Sequence, residues 1–169
     1  MITHTPTVTK QHDLDPADFR LALRHIPGSV AVITTSVDGE TIGMTATAFS
    51  SVSVEPPQVL VCINRAARSA TLISQAGKFA VNHLAGNQAS VAESFATPAL
   101  SFDERFAGAT WTPSSTEVPF LNGAVVSLGC TVDQEIHSGT HAIFIGRVHE
   151  LRTETGDSLV YKNGTFSTL

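Results

Sequence analysis

Most of the chain alternates apolar and polar residues, which is the pattern of half-buried β-strands. Residues 29–37 are rich in β-branched side chains, and the Asp38-Gly39 pair that follows is typical of a tight hairpin turn returning the chain along residues 40–47. Further strands are predicted at residues 58–63, 78–84, 124–136, 141–151 and 159–166. The pattern therefore predicts a fold dominated by strands with turns between neighbours.

Helical spacing is confined to short stretches. Three residues that favour N-cap positions begin such stretches: Asp15, Ser69 and Asn87. Gly77 is expected to end the second helix, and one helical turn is predicted at residues 102–106. Residues 111–122 are expected to be mostly irregular. Together these elements predict a mostly β fold with short helices, arranged as an antiparallel β-barrel with the helices packed outside.

The stretch at residues 43–57, GMTATAFSSVSVEPP, begins as a strand and continues as a run of small and hydroxyl residues. Thr45 and Thr47 are alternate residues, so in a strand their hydroxyls leave the same face. The lack of bulk and of charge before Glu55 suits close approach by a flat polar ligand such as an aromatic heterocycle. A half-buried strand with one polar face fits the pattern as well. The double proline is expected to stop strand pairing.

The composition limits how the chain is organised. Its 169 residues are enough for one domain with a sizeable core. We expect a disordered arm at residues 1–13 and a single domain at residues 14–169. Charged residues make up only 15% of the sequence, against 42% hydrophobic residues. So few charges indicate that much of the surface is covered, and a second copy of the chain in a homodimer is the expected cover.

Charge and motif content argue against several classes of partner and activity. The net charge of −5 disfavours nucleic acid and anionic membranes as partners. The chain lacks the run of about 18 apolar residues that a membrane-spanning helix needs. Its N-terminus lacks the apolar core of a secretory signal, so a cytoplasmic location is expected. Cys62 and Cys130 lie in apolar runs and are expected to be reduced thiols, and neither a metal cluster nor a Rossmann, P-loop, zinc-protease or hydrolase motif is recognisable.

Five motifs occur in a characteristic order: GMTATAFSSVSVEPP, then CINRAARSATL from Cys62, KFAVNHLAGNQ from Lys78, DERFAG from Asp103 and SGTHAIFIGRV from Ser138. This order resembles the short-chain NAD(P)H:flavin oxidoreductases, the flavin reductase components of two-component flavin-dependent monooxygenases. The resemblance covers residues 19–166. It implies the FMN-binding split barrel, a homodimer, and reduction of FMN or FAD by NADH or NADPH. The reduced flavin would then leave for a separate monooxygenase.

Residue types indicate how such a site would work. A reduced flavin carries negative charge near its N1 and C2 carbonyl edge, and neutral donors such as Thr45 and Thr47 can stabilise this charge. A flavin phosphate needs a cationic or amide-lined site. Asn64, Arg65 and Ser69, at the start of a predicted helix, offer one.

The resemblance and the residue types together give the candidate flavin-binding residues Thr45, Ala46, Thr47, Ser50, Ser51, Ser53, Asn64, Arg65, Ser69, Asn82, Arg105, Phe106, His141 and Tyr161. Thr47 and His141 are also the catalytic candidates, His141 because the resemblance places it beside the nicotinamide. Each of four candidates has a structural alternative. Arg65 could be a solvated loop charge, Asn82 a partner of neighbouring backbone, Arg105 part of an ion pair and His141 a structural histidine.

The role of His141 and the function of the chain are both open at this point. The family's Gly-Asp-His is Gly139-Thr140-His141 here, so the carboxylate that would orient the histidine is missing. His141 shares a strand face with Ile143 and Ile145, which are expected to enter the core. Two other functions also fit a barrel of this kind. One is an oxidase that retains its flavin, similar to pyridoxamine-phosphate oxidases, and the other is a non-catalytic flavin-binding protein.

Overall fold

The computed structural model describes residues 14–169, and the arm predicted at residues 1–13 lies outside them. The helices are α1 (Pro16–Leu23), α2 (Arg68–Ala76), α3 (Ala89–Ala96) and α4 (Phe102–Ala107). The strands are β1 (Gly28–Ser29), β2 (Ala31–Val37), β3 (Glu40–Ala46), β4 (Phe49–Val54), β5 (Pro57–Asn64), β6 (Lys78–His83), β7 (Trp111–Pro113), β8 (Pro119–Leu121), β9 (Val126–Ser138), β10 (His141–Thr153), β11 (Leu159–Lys162) and β12 (Thr165–Thr168). No helix in this part of the chain is long and apolar enough to cross a membrane.

One seven-stranded antiparallel sheet, in the order β3-β2-β6-β9-β10-β5-β4, forms the centre of the fold. Its two edge strands, β3 and β4, follow each other in the chain and are joined by Thr47 and Ala48 alone. Such a short link requires the sheet to curl until its edges approach at one end. The mostly β, antiparallel fold with short helices is confirmed. Within residues 14–169 no β3–β4 ladder closes the sheet, so the split barrel itself stays a prediction.

Two hairpins depend on turns that need positive φ angles. Asp38 and Gly39 have φ angles of 51° and 80°, which confirms the predicted primed turn between β2 and β3. Asn163 and Gly164, with φ angles of 51° and 87°, make the same kind of turn between β11 and β12. The single strand predicted at residues 159–166 was wrong, because this Asn-Gly pair divides it into a hairpin.

The stretch at residues 43–57 contains two strands. Its last part pairs as a hairpin, with Val54 opposite Pro57 and a turn at Glu55-Pro56 between them. The expectation that the double proline stops pairing was wrong. Pro57 is the first residue of β5, a position where the missing N–H is tolerated.

One of the three predicted N-caps is confirmed. The Asp15 side chain accepts a hydrogen bond from a backbone N–H in the first turn of α1, as predicted. The other two predictions were wrong: Ala67 precedes α2 and Gln88 precedes α3, and neither side chain makes a capping hydrogen bond. Ser69 lies inside the first turn of α2, where it is buried.

Other local predictions hold in part. Gly77, with a φ angle of 63°, ends α2 as predicted. The turn predicted at residues 102–106 is α4, which begins with a reciprocal capping box between Ser101 and Glu104. The segment expected to be irregular, residues 111–122, includes the paired strands β7 and β8.

The curled sheet carries its main core on the inner face. Its largest fully buried side chains include Phe79, Phe144, Ile33 and Ile63. Helix α2 packs against this core, while α3 covers the outer face of β2 and contributes to a second cluster. Cys62 and Cys130 are free thiols, as predicted, and burial raises the pKa of Cys130 to about 12.

A second part of the outer sheet face is not covered by a helix within residues 14–169. Apolar side chains from β5, β9 and β10 lie there side by side, and we call them the open face: Leu60, Cys62, Ile136, Ile143 and Ile145. The expectation that the isoleucines of β10 enter the core was wrong, because their neighbours on the strand occupy the inner face. Helices α1 and α4 bury no residue in the described chain, while α2 and α3 pack elsewhere.

The inner core predicts a large effect for a small substitution at Gly146 of β10. A Cβ atom there would lie 2.5 Å from Cζ of Phe79 and 2.8 Å from Cβ of Cys130. We expect Gly146→Ala to lower the free energy of unfolding by about 1–3 kcal/mol through overpacking, measured by urea denaturation. Gly108→Ala is the matched control, because no atom lies within 4 Å of a Cβ at Gly108. Equal stability of the two variants would contradict this packing.

Candidate functional site

A pocket of about 210 Å³ lies between the end of β3 and the β11–β12 hairpin. Its lining residues are Val30, Thr45, Ala46, Thr47, Ala96, Tyr161 and Phe166. Four of the predicted site residues are therefore brought together here, three from the central stretch and Tyr161 from the C-terminal hairpin. None of the lining residues is a carboxylate, a histidine or a lysine.

The pocket is bounded by a strand edge with free hydrogen-bonding groups. Strand β3 pairs with β2 on one side and has no strand partner among residues 14–169 on the other. Thr47, directly after β3, is exposed, and its hydroxyl has no hydrogen-bond partner within residues 14–169. Gly28 packs closely beside it, because a Cβ at Gly28 would lie 3.0 Å from Cβ of Thr47. This edge can offer backbone and hydroxyl donors to a flat ligand.

Thr45 lines the same pocket but uses its hydroxyl differently. The hydroxyl donates a 2.6 Å hydrogen bond to the carbonyl oxygen of Ala92 in α3. Its proton is therefore engaged in holding α3 against β3. The expectation that Thr45 and Thr47 both donate to a ligand is thus corrected for Thr45.

A second group of predicted residues meets at the end of β5. Asn64 is the register partner of His141 on β10, and the backbone N–H of Arg65 donates to the carbonyl of Thr140 at 2.9 Å. The side-chain oxygen of Asn64 accepts from the N–H of Ala66 at 2.9 Å, which shapes the loop before α2. The guanidinium of Arg65 is exposed at this corner and makes no ion pair within residues 14–169.

The Thr140 hydroxyl and Nδ1 of His141 are 2.9 Å apart. This hydroxyl therefore binds the imidazole in the absence of a carboxylate at position 140. Nε2 of His141 has no hydrogen-bond partner within the described chain, and the side chain is exposed. His141 is oriented at one nitrogen and available at the other.

The two groups are neighbours in space. The N–H of Cys62 donates to the carbonyl of Ala48 at 3.1 Å, so the link after β3 lies beside β5 two residues before Asn64. The pocket and the start of α2 therefore lie at the same end of the sheet. Ser69 belongs to this region through its backbone, because its side chain is only 6% exposed.

Three predicted serines lie on β4 and do not line the pocket. Ser50 and Ser51 are exposed, and the Ser50 hydroxyl donates to the Ser51 carbonyl at 3.1 Å. The Ser53 hydroxyl accepts from the N–H of Glu55 at 3.2 Å at the following turn. The hydroxyls of Ser50 and Ser53 serve local contacts in the single chain.

Asn82 is a core residue with no exposed surface. Its Nδ2 donates to the carbonyl of Val32 at 3.1 Å, and its Oδ1 accepts from the N–H of Leu121 at 2.9 Å and the hydroxyl of Ser127 at 2.8 Å. Both ends of the amide are engaged. The structural alternative for Asn82 therefore replaces the predicted ligand contact, because a ligand cannot reach the side chain.

Arg105 and Phe106 support the wall of the pocket from behind. The guanidinium of Arg105 donates to the carbonyls of Leu100 and Thr97 at 3.1 and 3.0 Å. Phe106 packs against Trp111 with ring centres 4.8 Å apart. The structural alternative for Arg105 was an ion pair, but its partners here are backbone carbonyls. In the single chain both residues stabilise the segment after α3, and neither lines the pocket.

Comparison with known proteins places this geometry in a family. The model of the flavin reductase-like domain matches residues 23–169. The chain belongs to the flavin reductase-like family. The chain is 39% identical over 147 residues to the FMN reductase (NADH) RutF of Stutzerimonas stutzeri, covering 85% of this chain and 83% of that protein.

Two further relatives of this flavin reductase-like chain are reductase components. The reductase component of a 4-nitrophenol 4-monooxygenase/4-nitrocatechol 2-monooxygenase from Rhodococcus opacus is 36% identical over 153 residues, covering 90% of this chain and 80% of that protein. The crystal structure of BorF, the flavin reductase component of a bacterial two-component tryptophan halogenase, superposes with a TM-score of 0.85. It is 30% identical and covers 92% of this chain and 98% of that chain.

Sequence reasoning missed three pocket residues of this flavin reductase-like fold: Val30, Ala96 and Phe166. For Phe166 a signal existed, because the Asn163-Gly164 turn predicts a hairpin that sets Phe166 opposite Tyr161. Their rings lie 5.3 Å apart. Ala96 and Val30 carry no such signal, since only packing brings α3 and the residue between β1 and β2 to the pocket.

Proposed function

We propose that this protein is an NADH-dependent flavin reductase, which reduces FMN or FAD and supplies the reduced flavin to a separate monooxygenase or a similar flavin-using enzyme. The family match supports the activity. The names of the relatives, FMN reductase (NADH) and reductase component, support the donor and the role. The observation that carries the proposal is the pocket at the free edge of β3, where the unpartnered Thr47 hydroxyl faces a site without ionisable carboxylates or imidazoles.

The pocket fits the chemistry of a flavin ring. When bound, the isoalloxazine ring system accepts a hydride from the nicotinamide. The free backbone groups of β3 and the Thr47 hydroxyl would hold its polar edge, and the rings of Tyr161 and Phe166 would exclude water from the other side. Hydride transfer needs close stacking of the two rings, within about 3.5 Å, and no side chain has to exchange a proton in that step. The absence of carboxylates, histidines and lysines from the lining is consistent with this requirement.

The corner at the start of α2 is the proposed phosphate site. Arg65 is an exposed cation there, and the first N–H groups of α2, at Arg68 and Ser69, are free of side-chain caps. Helix N-termini attract anions through such N–H groups and the helix dipole. Ser69 would contribute its N–H and not its buried hydroxyl. Ser50 and Ser51 are exposed on β4 and Ser53 is half-buried there, and all three remain candidates for contacts with the rest of the flavin.

We also propose a homodimer joined through the open face. The apolar side chains of this face are half-buried or exposed in the single chain, with Ile136 exposed by 44%. The pocket of about 210 Å³ is smaller than the roughly 300–1,000 Å³ typical of ligand sites. A partner chain would cover the open face and complete the pocket wall. His141 and Asn64 lie on the same strand face at its border, so they would stand at the rim of the interface.

One assay tests the function. Oxidation of NADH is followed with FMN, FAD and riboflavin in turn, alongside the visible spectrum of the purified protein. We expect rapid NADH oxidation that depends on added flavin. A protein that retains its flavin, and therefore its yellow colour, through purification and turns over without NADH would indicate an oxidase. A protein that neither binds flavin nor oxidises NADH would indicate a non-catalytic barrel.

Thr47 provides a direct test of the pocket. Thr47→Val keeps the side-chain shape and removes the donor, so we expect flavin binding to weaken by roughly 1–3 kcal/mol with the fold intact. Thr45→Val is the matched variant. Because the Thr45 hydroxyl binds the Ala92 carbonyl, its main expected loss is about 1 kcal/mol of unfolding free energy. Flavin titrations and urea denaturation separate the two effects, and the reverse pattern would count against the proposed contacts.

His141 is expected to act on the nicotinamide. Its free Nε2 at the rim can hydrogen-bond the nicotinamide dinucleotide, while Thr140 orients Nδ1. We expect His141→Ala to raise KM for NADH roughly tenfold, the loss of about one hydrogen bond, with a much smaller change in flavin affinity. His149→Ala, at another exposed histidine of β10, should leave both values unchanged. A loss confined to flavin binding would reassign His141 to the flavin.

The open face predicts an assembly that can be broken by one charge. Ile143→Asp places a carboxylate in the centre of this face and should convert a dimer into a monomer in sedimentation velocity at micromolar concentration. Leu151→Asp, on an exposed position further along β10, is the control and should remain dimeric. A stable, active wild-type monomer would rule the dimer out.

A further inference from the structure

His83 is a buried histidine that the proposed reaction does not use. It is the last residue of β6 and only 8% exposed. Its Nδ1 lies 3.0 Å from the hydroxyl of Ser29 on β1. Its ring also packs edge-on against Phe49, the first residue of β4, with ring centres 4.4 Å apart.

These two contacts lie close to the link between β3 and β4, which lines the proposed flavin pocket. Thr47 and Ala48 connect β3 to Phe49, so the Phe49 contact fixes one end of the link. Ser29 follows Gly28, whose Cα packs against Thr47 and whose register partner is Tyr161. The His83 imidazole therefore contacts Ser29, next to the glycine that lies against Thr47, and Phe49, two residues after Thr47.

Strand β1 is followed by Val30, whose carbonyl accepts from the N–H of Leu84 at 2.9 Å and whose N–H donates to the carbonyl of Leu159 at 3.0 Å. The strand itself is two residues long and pairs with β11 in a separate small sheet. The bond from Ser29 to His83 is a side-chain tie between this small sheet and β6 of the large one. Without it, the backbone bonds of Val30 would still anchor the end of β1, but Gly28 would lose a neighbouring contact that helps to fix its distance from Thr47.

We propose that His83 is a positioning residue of the flavin pocket, which holds β1 through the Ser29 hydroxyl and the start of β4 through Phe49, and so fixes Thr47 opposite Tyr161. This inference rests on the proposed function, because it assumes that the pocket binds flavin. His83 acts through its neighbours and does not touch the flavin itself.

The surroundings of His83 make this role dependent on pH. From the elements packed against it, His83 faces the Ser29 hydroxyl, the Phe49 ring and its register partners Ala31 on β2 and Val126 on β9. None of these four residues carries a charge. Burial lowers the pKa of His83 below its ordinary value of 6.5. The neutral imidazole is therefore the form that fits, and the arrangement is complete above pH 6.5 and weakens as the pH falls below that value.

The test compares flavin KM and kcat for variants of this contact. His83→Leu removes the polar nitrogen, and Ser29→Ala removes the hydroxyl at an exposed position that tolerates the change. We expect each to raise KM for flavin about tenfold at pH 7.5, with kcat changed less than about twofold. The double variant should show no further rise, because both changes break the same contact.

The pH profile separates positioning from packing. His83→Asn keeps a hydrogen-bonding atom near the position of Nδ1 but does not titrate. We expect it to restore the wild-type KM at pH 7.5 and to remove the rise in KM that the wild type shows as the pH falls below 6.5, the ordinary histidine pKa. His25→Asn, at an exposed histidine of the loop after α1, is the control and should retain the wild-type profile.

Unchanged flavin KM in both Ser29→Ala and His83→Leu would overturn the proposal, whatever their melting temperatures. So would a double variant whose effects add, or a wild-type profile that His83→Asn leaves intact. If His83→Leu does not fold, Ser29→Ala and His83→Asn decide the question by themselves. A wild-type protein without flavin-dependent NADH oxidation would instead overturn the proposed function, and this inference with it, before any variant is compared.

Discussion

The two-residue link between β3 and β4 is the constraint on which the rest of the structure depends. These strands are the two edges of a seven-stranded sheet, which would span about 29 Å if flat, because strands lie about 4.8 Å apart. A link of Thr47 and Ala48 spans at most about 11 Å between the flanking Cα atoms. The sheet therefore has to curl, and the curl creates an inner face that Phe79, Phe144 and the apolar side of α2 fill. The main core is thus a consequence of the short connection.

The same constraint sets where a ligand can bind. An unpaired strand edge is usually a liability, because its free N–H and C=O groups invite pairing with another chain. Here the β11–β12 hairpin approaches the free edge of β3 and leaves a pocket between them. The link also lies beside β5 near Asn64, so the pocket and the start of α2 lie at one end of the sheet. The free edge of β3 and the first N–H groups of α2 are thus brought together by one topological feature.

The chemistry of hydride transfer matches a site of this composition. Stacking the nicotinamide on the flavin requires a pocket of matching shape and hydrogen-bond donors held in fixed positions. Polar groups that already hydrogen-bond within the core cannot serve as those donors. Asn82 is engaged in this way: its amide makes hydrogen bonds to three neighbouring elements and holds the sheet together behind the pocket. The Thr45 hydroxyl is likewise bound to α3. Thr47 differs because it lies just beyond the strand, where none of the neighbours within residues 14–169 hydrogen-bonds to its hydroxyl. The uncovered apolar side chains of the open face explain why so few charges are needed on a chain expected to pair with a copy of itself.

The turns, caps and helix ends that depend only on residues close in sequence could be predicted from the sequence. The Asp38-Gly39 turn, the Asp15 cap and the left-handed Gly77 follow from backbone preferences of single residues. The ordered motifs identified the family and the residues of the central stretch for the same reason. Tertiary structure decided which hydroxyls are free, that Ser69 is buried, and that Ala96 and Phe166 line the pocket beside Thr47. It also decided that His83 faces Ser29, a residue 54 positions away. A sequence pattern states which face of an element a side chain occupies, but which element packs on that face is set by the curl of the whole sheet.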